Sequence, residues 1–150
     1  MNSRDDTPLF SLTHWHDIAH YYGDYVRMFF LGTAALSFVA IPVFGNVLPF
    51  GTLVQVSAGL LLVLLAGLTH PHSRMLQLYD AAVAGLGVLL LESAAISFYS
   101  IDSVQLFAVR EASALMLLFA FYYSIKTLRA MSLGKVGQEE RPWEFEETKE

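Results

Sequence analysis

From residue 28 to residue 73 the chain runs for 46 positions without an Asp, Glu, Lys or Arg. A helix on the surface of a water-soluble core interleaves charged positions along its outer face, and this run has none. Its interruptions are turn-formers instead. Pro42, Gly45, Asn46, Pro49 and Gly51 crowd together in the middle, and Thr69, His70, Pro71, His72 and Ser73 close the run before Arg74. The breaks predict apolar helices over residues 26–43 and 52–68. At 1.5 Å per residue each is about 26 Å long, enough for a bilayer core. Apolar character resumes after Arg74 and predicts helices over 76–99 and 104–130. They are joined by a turn at Ser100, Ile101, Asp102 and Ser103, and their extra length allows tilt or protrusion.

The flanks follow different patterns. Residues 1–7 are polar. From Pro8 onward, Trp15, Ile18, Ala19, Tyr22 and Val26 are spaced to form one apolar helical stripe. His16, His20, Asp24 and Arg27 fall within about 80° of arc on the opposite face. Aromatic rings on one side and titratable groups on the other predict an amphipathic helix lying in the headgroup region, within residues 1–25. Four aspartates in this prelude and the lack of a cleavage pattern argue against a secretory signal. Residues 131–150 carry Glu139, Glu140, Glu144, Glu146, Glu147 and Glu150, which predicts a disordered acidic tail. The expected fold is all-α, an integral membrane four-helix bundle of two hairpins over residues 26–130, preceded by the interfacial helix.

Composition agrees with this. Hydrophobic residues make up 55% of the chain, charged residues 15%, and the mean hydropathy is +0.47. The net charge of −5 lies mostly in the tail, so no basic surface points to nucleic acid. The chain has no cysteine, which excludes disulfides and thiolate chemistry. Eight of the nine Lys and Arg residues fall at or before the start of the first helix, in the middle turn, or at and beyond the end of the fourth helix; the ninth, Arg110, lies deep within a helix. The positive-inside rule then predicts a plasma (inner) membrane protein with both termini and Arg74 cytoplasmic.

An internal repeat is suggested by residues 34–41 and 94–101, both built on Ala-Ala-x-Ser-Phe, and by Gln55–Ser57–Ala58 against Glu111–Ser113–Ala114. Two hairpins of one orientation make a parallel repeat. Glu92 then stands where the first hairpin has Gly32, and Arg110 where it has Val54.

Candidate chemistry begins with that charged hairpin. Glu92 and Arg110 lie at similar depth either side of the 100–103 turn, with Glu111 beside Arg110. A charge in the bilayer core costs about 2.5–3.5 kcal/mol on insertion scales, so such residues find partners or line water. A Glu92–Arg110 clip fixing helix register is the structural expectation, and a proton or cation site at Glu92 or Glu111 is the alternative. Asp80 reads as an acid favoured by a helix N-terminus, with Lys126 or Arg74 as the alternative partner. The five histidines are His14, His16, His20, His70 and His72. His16 and His20 have the i,i+4 spacing of a helical metal pair, Asp24 extends their face, and His70 and His72 map to the same side. No metalloenzyme pattern accompanies them, so they are weak metal candidates and no cofactor is expected. Ala81 with Gly85 and Ala108 with Ala112 are small-residue pairs suited to close helix contact. No nucleophile–base arrangement stands out. The expected function is a non-catalytic accessory subunit packing as a homo-oligomer or with a membrane partner. The alternative is a small channel or ion-coupled transporter using Glu92, Arg110 and Glu111.

Overall fold

The computed structural model describes residues 22–69 and 73–133. About 85% of these residues are helical, with no strand among them. The four helices are α1 Gly23–Phe44, α2 Thr52–Leu68, α3 Arg74–Phe98 and α4 Val104–Ser132. Three of them, α1, α3 and α4, are long and apolar enough to cross a membrane, while α2 is a shorter apolar helix of 17 residues. Residues 23–25, assigned from sequence to the interfacial helix, belong to α1. The rest of that predicted helix before Tyr22, the acidic tail beyond Leu133, and His14, His16, His20, His70 and His72 lie outside the described residues.

Local chemistry sets the helix ends. Pro42 has no amide hydrogen to donate back to Phe38, and α1 ends two residues later. Gly45 follows at φ 82°, a left-handed conformation that suits glycine, and its N–H donates to the Ile41 carbonyl at 3.1 Å. Gly51 at φ 90° admits the chain to α2. Ser73 and Ser103 cap α3 and α4, their hydroxyls accepting from the Leu76 and Leu106 amides at 3.4 and 3.3 Å.

The helices pack in the lateral order α2, α1, α4, α3, with the α3–α4 interface the most extensive and α2 barely touching α3. Neighbours run antiparallel. Arg74 donates to Ser132 at 3.0 Å near one end of the α3–α4 pair, and the Arg110 guanidinium approaches the Ala94 carbonyl near the other. Between α1 and α4 a ladder of rings stacks Tyr25 on Tyr123 at 5.1 Å and Phe29 on Phe119 at 5.4 Å. Small residues allow the close approaches. A Cβ at Gly59 would lie 2.7 Å from the Phe38 ring, so the ring packs against α2 there in the space that glycine leaves. Ala81 is buried and Gly85 faces Phe121 of α4, whereas Ala108 of the second small-residue pair is exposed. One end of the molecule carries the 45–51 loop and the 100–102 turn and is called apical below. The other, with Tyr22, Thr69, Arg74 and Ser132, is called terminal.

Candidate functional site

Polar groups gather at both ends of the helices, separated by an apolar middle. At the apical end they centre on Arg110, which is 3% exposed despite its charge. Its partner is Asp102 in the turn, whose carboxylate forms an ion pair with the guanidinium. Nε donates to the Val47 carbonyl at 2.7 Å, Nη1 lies 3.5 Å from the Ala94 carbonyl, and the guanidinium sits 5.4 Å from the centre of the Phe98 ring. The same residue, Val47, is also held through its N–H, which donates to Gln55 Oε1 at 2.7 Å. Gln55 in turn donates through Nε2 to the Ser37 carbonyl at 2.8 Å. Val47 of the first loop is thus clamped between α2 and α4 through its N–H and C=O, and both apical turns are fastened to one guanidinium.

This corrects the expected Glu92–Arg110 pair. Helical side chains lean toward their own N-terminus. On α4 that direction is apical, toward Asp102. On antiparallel α3 it is terminal, so side chains at equal depth diverge. Glu92 and Glu111 are both half-buried, and among the described residues neither forms an ion pair. The three charges read as one cluster do not form one.

At the terminal end a second polar group meets around Thr69. Arg27 pairs with Asp24 at 3.3 Å, on half-buried side chains, and donates through Nη2 to the Thr69 carbonyl. The Thr69 hydroxyl lies 2.7 Å from the Leu65 carbonyl and 3.2 Å from Asp80 Oδ2, and its single proton serves one of them at a time. Arg27 and Asp80 therefore meet at Thr69 from opposite sides. Asp80 is fully buried and is the seventh residue of α3, beyond the first turn where the helix dipole acts. Neither Lys126 nor Arg74 is its partner. Lys126 lies over the Tyr22 ring at 4.2 Å, and Arg74 bonds Ser132. Gln77, Ser124 and Thr127 are buried at the same end. Thr127 donates to the Tyr123 carbonyl at 2.9 Å and accepts from the Tyr22 amide at 3.4 Å.

Between the two ends a cavity of about 260 Å³ lies where α2 and α3 part, lined by Ser37, Gln55, Leu62, Val83, Leu91 and Leu117 among others. Its walls are almost wholly apolar. Among the described residues no three His, Cys, Asp or Glu side chains converge as metal ligands. Of the proposed metal set only Asp24 is described, and it faces Arg27.

Sequence reasoning passed over Gln55, Asp102, Thr69, Gln77 and Ser124 as site residues. The available signal was a lone glutamine in a helix rich in apolar residues, twice, at Gln55 and Gln77. No known protein-family model matches the chain, and neither the curated proteins nor the solved structures include a significant match to it.

Proposed function

We propose that this chain is a non-catalytic membrane subunit of four spanning helices that packs with copies of itself or with a membrane partner. Arg110 carries the reading. The one basic residue between Arg74 and Lys126 is bound to the Asp102 side chain in one apical turn and to the Val47 carbonyl in the other, an arrangement that fixes register and leaves no cation free to gate a path. α2 supports the reading further. It buries only Gln55, Gly59, Leu62, Leu65 and Ala66 against the rest of the chain. Both termini and Arg74 are cytoplasmic in this reading, in the plasma (inner) membrane, and the two hairpins form a parallel repeat in which the second carries Glu92 and Arg110 where the first has Gly32 and Val54.

The test is the mass of the purified protein released intact from bilayer nanodiscs. A complex of two or more chains, or of this chain with a second membrane protein, is the expected outcome. A strictly monomeric chain that dissipates an ion gradient across reconstituted vesicles would refute it. That result would favour the second reading, a small channel or ion-coupled transporter. The support for that alternative now lies with the buried polar residues around Asp80 at the terminal end, rather than with Glu92, Arg110 and Glu111.

A further inference from the structure

The terminal polar group is incomplete in a specific way. Five buried side-chain atoms there lack a hydrogen-bond partner: Arg27 Nε, Gln77 Nε2, Gln77 Oε1, Asp80 Oδ1 and Ser124 Oγ. No buried side-chain atom at the apical end shares this condition among the described residues. Folded proteins pair nearly all such groups, and several left unpaired in one place call for something that pairs them.

The four side chains stand at one level. Gln77 and Asp80 are three residues apart on α3 and share a face. The α3–α4 register, fixed by the Arg74–Ser132 hydrogen bond and the Gly85–Phe121 contact, sets Ser124 and Thr127 opposite residues 79–82. Arg27 reaches the same level through Thr69, whose hydroxyl meets Asp80.

We propose that this juxtaposition of Arg27, Gln77, Asp80 and Ser124 is an internal water site, in which ordered water bridges the unpaired atoms and carries the aqueous phase into the terminal third of the helices. The atoms themselves select the ligand. Arg27 Nε and Gln77 Nε2 are donors, Gln77 Oε1 and Asp80 Oδ1 are acceptors, and the Ser124 hydroxyl is both. Water gives and accepts in equal measure and answers the whole set. A bare cation takes only the oxygens, leaves both donors unpaired and adds charge beside the Arg27 guanidinium. An anion meets the Asp80 carboxylate. An acyl chain pairs with nothing. Above the site, Ala66, Ala84 and Ala120 are buried without polar atoms in their side chains, so the water stops short of the apolar cavity. The inference does not depend on the subunit reading, since a packed subunit and a transporter both accommodate it.

The chain supplies its own controls. Gln55 and Gln77 are both buried, but Gln55 is bonded at both ends of its amide. In the unmodified protein in bilayers, water-edited solid-state NMR should show magnetisation reaching the Gln77 side-chain amide well before that of Gln55. A second measurement exploits the absence of cysteine. Ser113 and Ser124 are both buried on α4, and the Ser113 hydroxyl is bonded to the Val109 carbonyl at 2.8 Å. Thiols react as thiolates, which form readily only where water reaches them, so Ser124→Cys should react with a small methanethiosulfonate roughly tenfold or more faster than Ser113→Cys. Equal NMR build-up at the two glutamines, or equal thiol rates in the two folded variants, overturns the proposal.

Discussion

Replacing Arg110 by leucine tests the apical arrangement directly. The Arg110 and Asp102 side chains are 4% and 10% exposed, so their ion pair is little screened by solvent. Removing one partner from a buried pair costs about 3–5 kcal/mol, because the other charge is left without its counter-ion. The Val47 carbonyl also loses the donor now 2.7 Å away, worth about 1–3 kcal/mol if nothing replaces it. Arg110→Leu should therefore lower stability in detergent by about 3–5 kcal/mol or more, a large share of the total for a small domain. Adding Asp102→Asn should recover part of the loss, since the stranded charge is gone, while the Val47 carbonyl stays unpaired. The coupling energy in that double-mutant cycle should be of order 1–3 kcal/mol. The parallel cycle with Glu92→Gln should give a coupling below about 0.5 kcal/mol, the scatter expected of independent sites. Equilibrium unfolding in mixed micelles measures all the variants on one scale. A Glu92–Arg110 coupling as large as that of Asp102–Arg110 would show that side-chain direction along the helices had been misjudged.

Gln55→Leu strands the Val47 N–H and the Ser37 carbonyl, which should cost about 1–3 kcal/mol for each group left unpaired, read in the same unfolding assay. No loss would mean that the 45–51 loop is not clamped from that side. Single cysteines at Ser73 and Ser103 should label from opposite faces of the membrane with an impermeant reagent, and labelling of both from one face would sink the proposed topology. His16→Ala with His20→Ala should leave folding and bound-metal content unchanged by circular dichroism and elemental analysis; loss of stoichiometric zinc or iron on that change would establish a metal site instead.

The helices were legible because a single physical demand wrote them. A chain in lipid must satisfy its backbone internally, so each span appears as a long, mostly apolar run bounded by Pro, Gly or polar turns. The breaks at residues 45–51, 69–73 and 99–103 mark the ends of the four helices to within a few residues. The start of α1 was displaced to residue 26 because Asp24 and Arg27 look like the polar face of an interfacial helix. In the structure they pair with each other on the first turn of α1. Three residues of helix were thus hidden by a charge pair that reads from sequence as exposure to water.

The sites were less legible because polar pairing in such a chain is decided by direction and by backbone, and neither appears in a residue count. Equal depth about the 100–103 turn matched Glu92 to Arg110, yet the two side chains leave antiparallel helices in opposite directions. Asp102 looked like an ordinary turn residue because nothing in the sequence says that an arginine two turns into α4 reaches back to it. Val47 could not have been found at all, since its part in the site is played by its backbone N–H and C=O groups. Gln55 and Gln77 make the contrast plainest. Both are lone glutamines in apolar helices, and the same sequence signal leads to opposite outcomes. One closes a clamp with both ends of its amide bonded, and the other is buried with neither end bonded to protein. Position along the helix does not separate them, since each stands four residues after its helix N-cap, Gly51 or Ser73. Gln55 meets the Val47 amide and the Ser37 carbonyl. Gln77 faces α4, whose backbone groups at that level are already engaged within the helix, so only a small molecule that both gives and accepts hydrogen bonds completes its shell.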